Sequence, residues 1–378
     1  MNIHWSAASG DFTLHRYPKG QHDKSLQAWD SADELIVEHG IEHLNQEASL
    51  LILNDQFGAL SIGLNIYSHT VLTDSEIAKR AILRNSEENQ LTPPTLINSL
   101  ENWPKCQAII LKLTKNLGYL EFQLQQIASQ PAPIKVIAAG KTTMVTKNVL
   151  KLFEQYLTGV STSLAKKKSR LIFAIHNSQK ETSDKYPVSL NWPEKQLTLN
   201  AHANVFSKEQ IDIGGRFLAD NLPEFQHAQK VVDLGCGNGL LGLCVLNQVK
   251  KHKTQIHLTF CDESYMAIES ARLNVKNNHS EYLDNCEFLQ DDCLSNLTSN
   301  SVDIILCNPP FHQQNTITEH IAKQMFSDAH RTLKAGGELF VVANRHLPYQ
   351  SQLKKNFGGF KLHAQNNKFV IYHCLKRR

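Results

Sequence analysis

The sequence predicts two tandem α/β domains, each with a mostly parallel sheet covered by helices on both faces. The chain has 378 residues, which is enough for two domains with sizeable cores. Short apolar runs of strand length alternate with helical stretches in both halves, and this alternation is typical of βαβ units. Part of the pattern also occurs twice along the chain, which favours a duplicated fold.

Composition excludes several classes of protein. Hydrophobic residues make up 41% of the chain and charged residues 20%, so a disordered, collagen-like or fibrous protein is excluded. No apolar run approaches the roughly 18 residues that a membrane span needs. The N-terminus lacks the pattern of a secretory signal, so we expect a soluble, cytoplasmic protein. The net charge is only +3, so any RNA-binding surface has to be local.

The eight cysteines are scattered, and all except Cys106 lie beyond residue 230. No two of them form a C-x-x-C pair, which argues against a zinc site and against a thioredoxin-like motif. We therefore expect reduced cysteines, mostly in the core, and no bound metal.

A polar segment between residues 178 and 204 separates the two halves. It contains Pro187 and Pro193 and interrupts the apolar periodicity on both sides. We place the domain boundary within this segment, with one domain at 1–190 and the other at 191–378.

Strands and helices alternate regularly in the second half. Strands are predicted at 231–234, 256–261, 288–289, 302–307 and 338–343, and helices at 240–250, 265–277 and 319–333. The last strand is predicted to begin after a stop at Gly336 and Gly337. In the first half, strands are predicted at 50–53, 71–72, 107–113 and 134–138, and helices at 76–83 and 119–128.

The two halves align by pattern in three places. Residues 53–60 align with 234–241, residues 75–85 with 264–274, and residues 108–111 with 303–306. We infer a duplicated fold whose first copy has lost the groups that carry chemistry. The alternative is that two unrelated α/β domains share a general rhythm.

A glycine-rich turn follows the first predicted strand of the second half. It runs from Asp233 to Gly239, with further glycines at Gly235 and Gly237. Glycines allow a ligand to approach the backbone closely, and this edge is where open α/β sheets bind ligands. The spacing G-x-G-x-G differs from the G-x-G-x-x-G of dinucleotide sites, which disfavours a nicotinamide-dependent oxidoreductase. The alternative is a tight turn that binds nothing.

Acidic residues follow the next two strands. Asp262 stands where nucleotide-binding folds place an acid that accepts hydrogen bonds from ribose hydroxyls, and it would also serve as the N-cap of the following helix. Asp291 and Asp292 follow the third strand, where a side-chain carboxylate is placed to accept a hydrogen bond from an adenine amino group. The alternative for this pair is that both acids are simply solvated.

The strongest signal is Asn308-Pro309-Pro310-Phe311 at the end of the fourth strand. The two prolines fix the backbone, so the Asn308 side-chain oxygen and the Pro309 carbonyl are expected to face the cleft. Two acceptors suit an NH₂ group whose lone pair is delocalised into a base, because they orient the nitrogen toward an electrophilic methyl group. Phe311 is placed to stack on the base.

These motifs together resemble class I S-adenosylmethionine-dependent methyltransferases that methylate amino groups. More closely, the chain resembles the bacterial ribosomal RNA guanine-N2 methyltransferases. The resemblance lies in Asn204-Val205-Phe206-Ser207 with Asp212 and Gly214, in Asn308 to Gln313, and in Ala343-Asn344-Arg345-His346-Leu347. Asn204 departs from the Pro-Gly that many members have there. The length of the chain and Asn366-Asn367-Lys368-Phe369 favour the large-subunit branch, with the small-subunit branch as the nearest alternative.

The resemblance implies two tandem Rossmann-like class I methyltransferase domains, the N-terminal one degenerate. It implies methylation of the exocyclic N2 amino group of a specific guanine in 23S ribosomal RNA, with S-adenosyl-L-methionine as the cofactor. The implied target-base site is Asn308, Pro309, Pro310 and Phe311. The implied cofactor contacts are Asp233, Gly235, Cys236, Gly237, Asn238, Gly239, Asp262, Glu263 and Asp292.

In the first half, Asn54 and Gln56 replace glycines, and Leu113-Thr114-Lys115 replaces Asn-Pro-Pro, so we predict no cofactor there. A domain that keeps the fold but loses the chemistry is suited to holding RNA. The candidate RNA contacts, all basic, are Lys141, Lys147, Lys166, Lys167, Lys168 and Arg345. A lysine cluster is also compatible with a merely solvated face.

Three alternatives for function stay open besides the small-subunit substrate. An adenine-N6 or protein-glutamine methyltransferase would use the same Asn-Pro-Pro acceptors. A non-catalytic RNA-binding or assembly factor would need an inert second half, whereas its glycines and Asn308 are intact. We expect a monomer with ribosomal RNA as its partner.

Overall fold

The computed structural model describes residues 2–17, 26–178, 185–310 and 316–377. The chain divides into two compact units, Met1–Lys185 and Tyr186–Arg378. This division falls a few residues before the boundary predicted between 190 and 191.

The first unit begins with a hairpin and continues as an alternating α/β chain. Its strands are β1 (His4–Ala7), β2 (Gly10–Thr13), β3 (Leu50–Leu53), β4 (His69–Leu72), β5 (Thr95–Ile97), β6 (Ala108–Lys112), β7 (Ile134–Lys141), β8 (Thr158–Thr162) and β9 (Ser169–His176). Its helices are α1 (Ser31–His43), α2 (Ala59–Gly63), α3 (Glu76–Glu88), α4 (Leu117–Ser129) and α5 (Lys147–Tyr156).

The second unit repeats this order. Its strands are β10 (Val188–Trp192), β11 (Leu197–Ala201), β12 (Lys230–Leu234), β13 (His257–Asp262), β14 (Cys286–Gln290), β15 (Val302–Cys307), β16 (Leu333–Asn344), β17 (Lys361–Gln365) and β18 (Phe369–Leu375). Its helices are α6 (Ile213–Asp220), α7 (Leu240–His252), α8 (Tyr265–Asn278), α9 (Thr316–Thr332) and α10 (Tyr349–Phe357), and short 3₁₀ turns lie at Pro193–Lys195 and Ser280–Asn285.

The two large sheets have the same topology. In the described part of the chain each has seven strands, in the order β5-β4-β3-β6-β7-β9-β8 in the first unit and β14-β13-β12-β15-β16-β18-β17 in the second. The first five strands of each order are parallel to one another. Each of the last two pairs antiparallel with the strand before it in the order. Apolar clusters cover both faces of each sheet. The predicted pair of Rossmann-like α/β domains is therefore confirmed.

The predicted stop at Gly336 and Gly337 is wrong, because β16 begins at Leu333 and continues through both glycines. The ladder with β15 shifts register between Val302 and Ile304, so the glycines accompany a bulge. Gly336 has φ +82°, and a Cβ at Gly337 would lie 3.0 Å from the Lys334 carbonyl oxygen. The glycines are required by the bulge and lie within the strand, so they do not mark the point before which it begins.

Buried asparagines repeat the same contacts in the two units. Asn85 in α3 donates to the carbonyls of His15 and Phe57, at 2.8 and 2.7 Å. Asn274 in α8 donates to the carbonyls of Asn200 and Asn238, each at 2.8 Å. Each asparagine thus joins the end of the N-terminal hairpin to the loop after the first strand of the sheet. Contacts of this detail favour duplication over two unrelated domains.

None of the helices in the described residues is long and apolar enough to cross a membrane. Within the same residues, His, Cys, Asp and Glu side chains do not gather in groups of three or more suited to a metal ion.

Candidate active site

The predicted site residues follow adjacent strands of the second sheet. Leu234, at the end of β12, pairs with Cys261 of β13 on one side and with Cys307 of β15 on the other. The carboxyl ends of the three strands therefore lie side by side, and the loops that follow them meet at one edge. This arrangement brings the glycine-rich turn, Asp262 and Asn308 together, as a site at this edge requires.

The glycine-rich turn is held by main-chain contacts. The N–H groups of Gly235 and Cys236 donate to the Cys261 carbonyl, at 2.8 and 3.0 Å. Gly237 has φ +54°, and a Cβ built on it would meet nothing within 4 Å. The backbone here is open to a ligand. The Cys236 side chain, in contrast, is buried in the core.

Asp233 lies fully buried beneath this turn. One carboxylate oxygen accepts a hydrogen bond from the Gly242 N–H at 2.9 Å, in the first turn of α7. The other oxygen has no hydrogen-bond partner among the described residues. Burial, with a smaller contribution from the charge of Asp262, raises the pKa of Asp233 to about 7.

Asp262 joins the glycine-rich turn to the start of α8. Its carboxylate accepts hydrogen bonds from Gly237 N–H at 2.9 Å and from Ser264 N–H at 3.0 Å. The N-cap of α8 is Ser264, whose hydroxyl accepts from Ala267 N–H, so the predicted N-cap role of Asp262 is wrong. Each carboxylate oxygen can accept more than one hydrogen bond, so Asp262 can still accept from a ribose hydroxyl. The ribose contact stays a prediction.

The two acids after β14 are buried and are not solvated, so the solvated alternative is wrong. Asp291 accepts hydrogen bonds from the Asn296 N–H at 2.7 Å and from the Ser295 hydroxyl at 2.5 Å, and so fixes the loop. Asp292 is 2% exposed. Of the two, Asp292 remains the candidate for the adenine contact. Glu263 is partly buried, and its carbonyl accepts from the Gln290 amide at 3.0 Å.

Asn308 directly follows β15 and is held by a residue from a distant part of the sequence. Its Nδ2 donates to Asp212 Oδ2 at 2.8 Å, and Asp212 is the N-cap of α6. The Oδ1 atom of Asn308 is buried and has no hydrogen-bond partner in the described part of the chain. Pro309 is buried and Pro310 exposed. Phe311 lies outside the described residues.

The predicted basic contacts differ in their surroundings. Lys141, Lys147 and Lys168 are exposed. Lys166 and Lys167, although exposed, form ion pairs with Glu38 at 2.6 Å and with Glu34 at 2.7 Å. Arg345, in the second unit, is exposed, and its Nη1 donates to the Asn366 carbonyl at 3.3 Å.

The equivalent edge of the first unit is filled by its own side chains. The ladders pair Leu53 with Leu111 and Leu234 with Cys307, so Lys112 stands where the second unit has Asn308. The predicted correspondence of Leu113-Thr114-Lys115 with Asn-Pro-Pro is therefore wrong by one residue. The Lys112 ammonium is 2.6 Å from an Asp30 oxygen and 2.5 Å from an Asp33 oxygen.

A second contact fills the counterpart of the glycine-rich turn. Asn54 stands where the second unit has Gly235 and keeps its left-handed backbone, with φ +66° against +72°. Its side-chain amide exchanges two hydrogen bonds with the Gln123 amide, at 3.0 and 2.8 Å. The polar groups at this edge therefore satisfy one another.

Two residues of the site, Asp212 and Gly215, were not identified as functional from their residue type and position in the sequence. Asp212 entered only through the resemblance, and the contact with Asn308 spans 96 residues of sequence. Gly215 packs against both: its added Cβ would lie 3.2 Å from Asp212 Oδ2 and 3.4 Å from Asn308 Nδ2. An acid directly before a helix is a signal for Asp212 as an N-cap, but for nothing more.

Two family models match the chain. Residues 2–178 match the RLMG N-terminal domain, and residues 196–373 match the methyltransferase small domain.

Similar proteins agree with these matches. The ribosomal RNA large subunit methyltransferase G of Pseudoalteromonas translucida is 45% identical, over 97% of this chain and 96% of that protein. The protein of the same name from Aeromonas salmonicida is 44% identical, over 97% of each. The solved structure of the T. thermophilus 16S rRNA N2 G1207 methyltransferase (RsmC), in complex with AdoMet and guanosine, has a TM-score of 0.78. The match covers 99% of this chain and 97% of that one at 17% identity, which shows the shared fold. The resemblance predicted from the motifs is confirmed: the chain belongs to the ribosomal RNA large subunit methyltransferase G family.

Proposed function

We propose that this protein transfers a methyl group from S-adenosyl-L-methionine to the exocyclic N2 amino group of a guanine in 23S ribosomal RNA. The observation that carries the proposal is the buried Oδ1 of Asn308, which has no partner among the described residues. A buried acceptor without a donor is costly, and an NH₂ group of a base would satisfy it.

The residues at the sheet edge fit the cofactor. Gly237 leaves open space beside Asp262, and the unpartnered oxygen of Asp233 is buried beneath the turn. Asp262 would accept hydrogen bonds from ribose hydroxyls, and Asp292 would accept one from the adenine amino group. When bound, the cofactor supplies an electrophilic methyl group on a sulfonium. The fold also accommodates this cofactor in the T. thermophilus structure, as the name of that structure states.

The chain's own contribution to the reaction is orientation. The lone pair of the guanine amine is delocalised into the ring, and acceptance of its N–H groups by Asn308 Oδ1 and the Pro309 carbonyl turns the nitrogen toward the methyl group. The amine nitrogen would take the methyl group that the bound cofactor supplies, leaving the cofactor sulfur as a neutral thioether, and the amine would then release a proton to solvent. No strong base is required. Phe311 would stack on the base and so hold it outside the RNA helix.

The choice of RNA is supported by the relatives. Their name assigns them to the large ribosomal subunit, and they align with almost the whole of this chain. The site alone does not separate guanine from adenine or glutamine, which all present an NH₂ group, and guanine is favoured by the family resemblance. A ribosomal RNA substrate implies activity in the cytoplasm.

We propose an RNA-holding role for the first unit, because it carries exposed lysines while its cofactor position is filled. We also propose that the protein is a monomer and that it uses no metal. Light scattering on the purified protein tests the first of these, and activity in the presence of a chelator tests the second.

The test of function is mass spectrometry of nucleosides after incubation with the cofactor and unmodified 23S or 16S ribosomal RNA. N2-methylguanosine in 23S RNA, absent with Asn308→Ala, is the expected result. Methylation of 16S RNA alone, or of adenine, would replace the proposed substrate. Methylation by Asn308→Ala at the wild-type rate would overturn the assigned role of Asn308.

A further inference from the structure

We infer that Asp212 is a positioning residue that sets the orientation of the Asn308 amide for catalysis. The inference rests on the proposed function, because it assumes that Asn308 Oδ1 receives the amine of the target base. It adds to the Asn-Pro-Pro-Phe motif a residue outside the motif, Asp212, that is required for full activity.

An asparagine amide has an oxygen and a nitrogen of similar size, and its two flipped orientations differ only in the hydrogen bonds that they make. A carboxylate only accepts hydrogen bonds. With Asp212 Oδ2 at 2.8 Å, only the NH₂ of Asn308 can face it. The Oδ1 atom is therefore turned away from Asp212 and left for the substrate.

Asp212 is itself held in place by main-chain groups of α6. Its Oδ2 accepts a hydrogen bond from Gly215 N–H at 2.6 Å, and its carbonyl accepts one from Arg216 N–H at 2.7 Å. These contacts place the carboxylate at the start of α6. Gly215 leaves room for the contact between the carboxylate and Asn308, because a Cβ at position 215 would lie 3.2 Å from Asp212 Oδ2 and 3.4 Å from Asn308 Nδ2.

The first unit contains an equivalent contact. Asp30 is the N-cap of α1 and accepts a hydrogen bond from Lys112 at 2.6 Å, and Lys112 stands at the position of Asn308. The equivalent N-cap acid thus contacts the residue that stands at this end of the fourth strand in both units. In the first unit the partner is an ammonium, which has donors only and no acceptor to present. Only in the second unit does this contact leave an acceptor free for a substrate.

Asp212→Ser tests the inference, because serine caps helices as well as aspartate does, but its hydroxyl can either donate to Asn308 or accept from it. Both orientations of Asn308 are then satisfied. We expect kcat to fall by ~10-fold, since misorientation near the reacting atoms is costly. The melting temperature and the Kd of the cofactor are expected to stay close to those of the wild type. The matched control is Asp30→Ser in the first unit, which should leave kcat unchanged.

Rescue by exchange is the second measurement. Asn308→Asp alone places two carboxylates against each other and should be nearly inactive. In Asp212→Ser with Asn308→Asp, the hydroxyl introduced at position 212 would accept from Gly215 N–H and donate to one oxygen of the carboxylate introduced at position 308, and the other oxygen would accept from the amine. We expect kcat at least ~10-fold above that of Asn308→Asp alone. A merely structural role for Asp212 would not produce this rescue.

The inference is overturned if Asp212→Ser has the kcat of the wild type, or if the double variant is no more active than Asn308→Asp. These results differ from failure of the proposed function. In that case, the wild-type protein itself would methylate no guanine in 23S RNA.

Discussion

Asp233 and Gly242 are joined by a hydrogen bond of 2.9 Å that caps helix α7 from within the preceding strand. The N-cap residue of this helix, Gly239, has no side chain to do so. In the first unit, Asp55 accepts from the equivalent N–H, that of Ser61, at 2.8 Å. The N–H group that is capped is therefore at the same position in both units, whereas the acid that caps it comes from the strand in the second unit and from the loop after the strand in the first. In the second unit the acid lies beneath the turn, and its second oxygen faces no donor among the described residues.

This burial predicts a pH dependence of stability. Burial raises the pKa of Asp233 to about 7, so the folded protein holds a proton that the unfolded chain releases near pH 4. A carboxyl group with a raised pKa contributes stability at low pH that is lost as pH rises through the folded value. The wild type should therefore lose stability relative to Asp233→Asn between about pH 4.5 and 7.5, by roughly 3 kcal/mol.

The measurement is thermal unfolding of the full chain and of Asp233→Asn at several pH values. The difference between the two proteins isolates this carboxyl group from others that titrate in the same range, such as Asp33, whose pKa burial raises to about 6. A difference that does not vary with pH would contradict the prediction.

Gly215→Ala is expected to reduce activity without unfolding the protein. The added Cβ would lie 3.2 Å from Asp212 Oδ2, which must therefore move by a few tenths of an ångström, and 3.4 Å from Asn308 Nδ2, which is ordinary contact. A shift of this size at a positioned acceptor should lower kcat by ~5-fold. Alanine favours the helix by about 1 kcal/mol, so the melting temperature should not fall much.

Steady-state methylation assays and thermal unfolding decide this prediction together. Gly359→Ala is the control, because a Cβ there would meet nothing within 4 Å. An unchanged kcat in Gly215→Ala would show that the contact tolerates displacement.

Titration with S-adenosyl-L-methionine is expected to give one site per chain. In the first unit, Asn54 and Gln123 satisfy each other, and Lys112 is held by Asp30 and Asp33. Binding there would break buried contacts among charged groups, which costs several kcal/mol. Calorimetry on the wild type and on Gly237→Val checks this: the variant places a branched side chain in the open space of the turn and should abolish all binding. Residual binding by Gly237→Val would reveal a second site.

The sequence predicts the residues of the candidate site better than it predicts the contacts that hold those residues in place. Asn308, Asp233 and Asp262 were identified because each lies at or directly after the carboxyl end of a strand whose apolar run is clear, and these ends meet in a parallel sheet. The hydrogen bond between Asp212 and Asn308 could not be predicted from the sequence pattern, because 96 residues separate the two and no periodicity links them.

The one-residue error at Lys112 has a similar cause. Residues 108–111 and 303–307 are nearly continuous apolar runs, as expected for strands buried on both faces, so their pattern contains no information on register. The ladders with β3 and β12 supply the register. The antiparallel strands β8, β9, β17 and β18 were also not predicted, because each lies outside the βα alternation on which the prediction was based.

Neutralising exposed lysines in the first unit is expected to weaken RNA binding selectively. Lys141 and Lys147 are exposed and form no ion pair within the described residues, so both are available to phosphates. Lys141→Gln with Lys147→Gln should raise KM for RNA several-fold, leave the Kd of the cofactor unchanged, and reduce the slope of log Kd against log salt by roughly one to two. The control is Lys166→Gln with Lys167→Gln, since Glu38 and Glu34 already neutralise these lysines. Equal effects of the two pairs would show that the ion pairs open on binding, and no effect of either would place the RNA elsewhere on the protein.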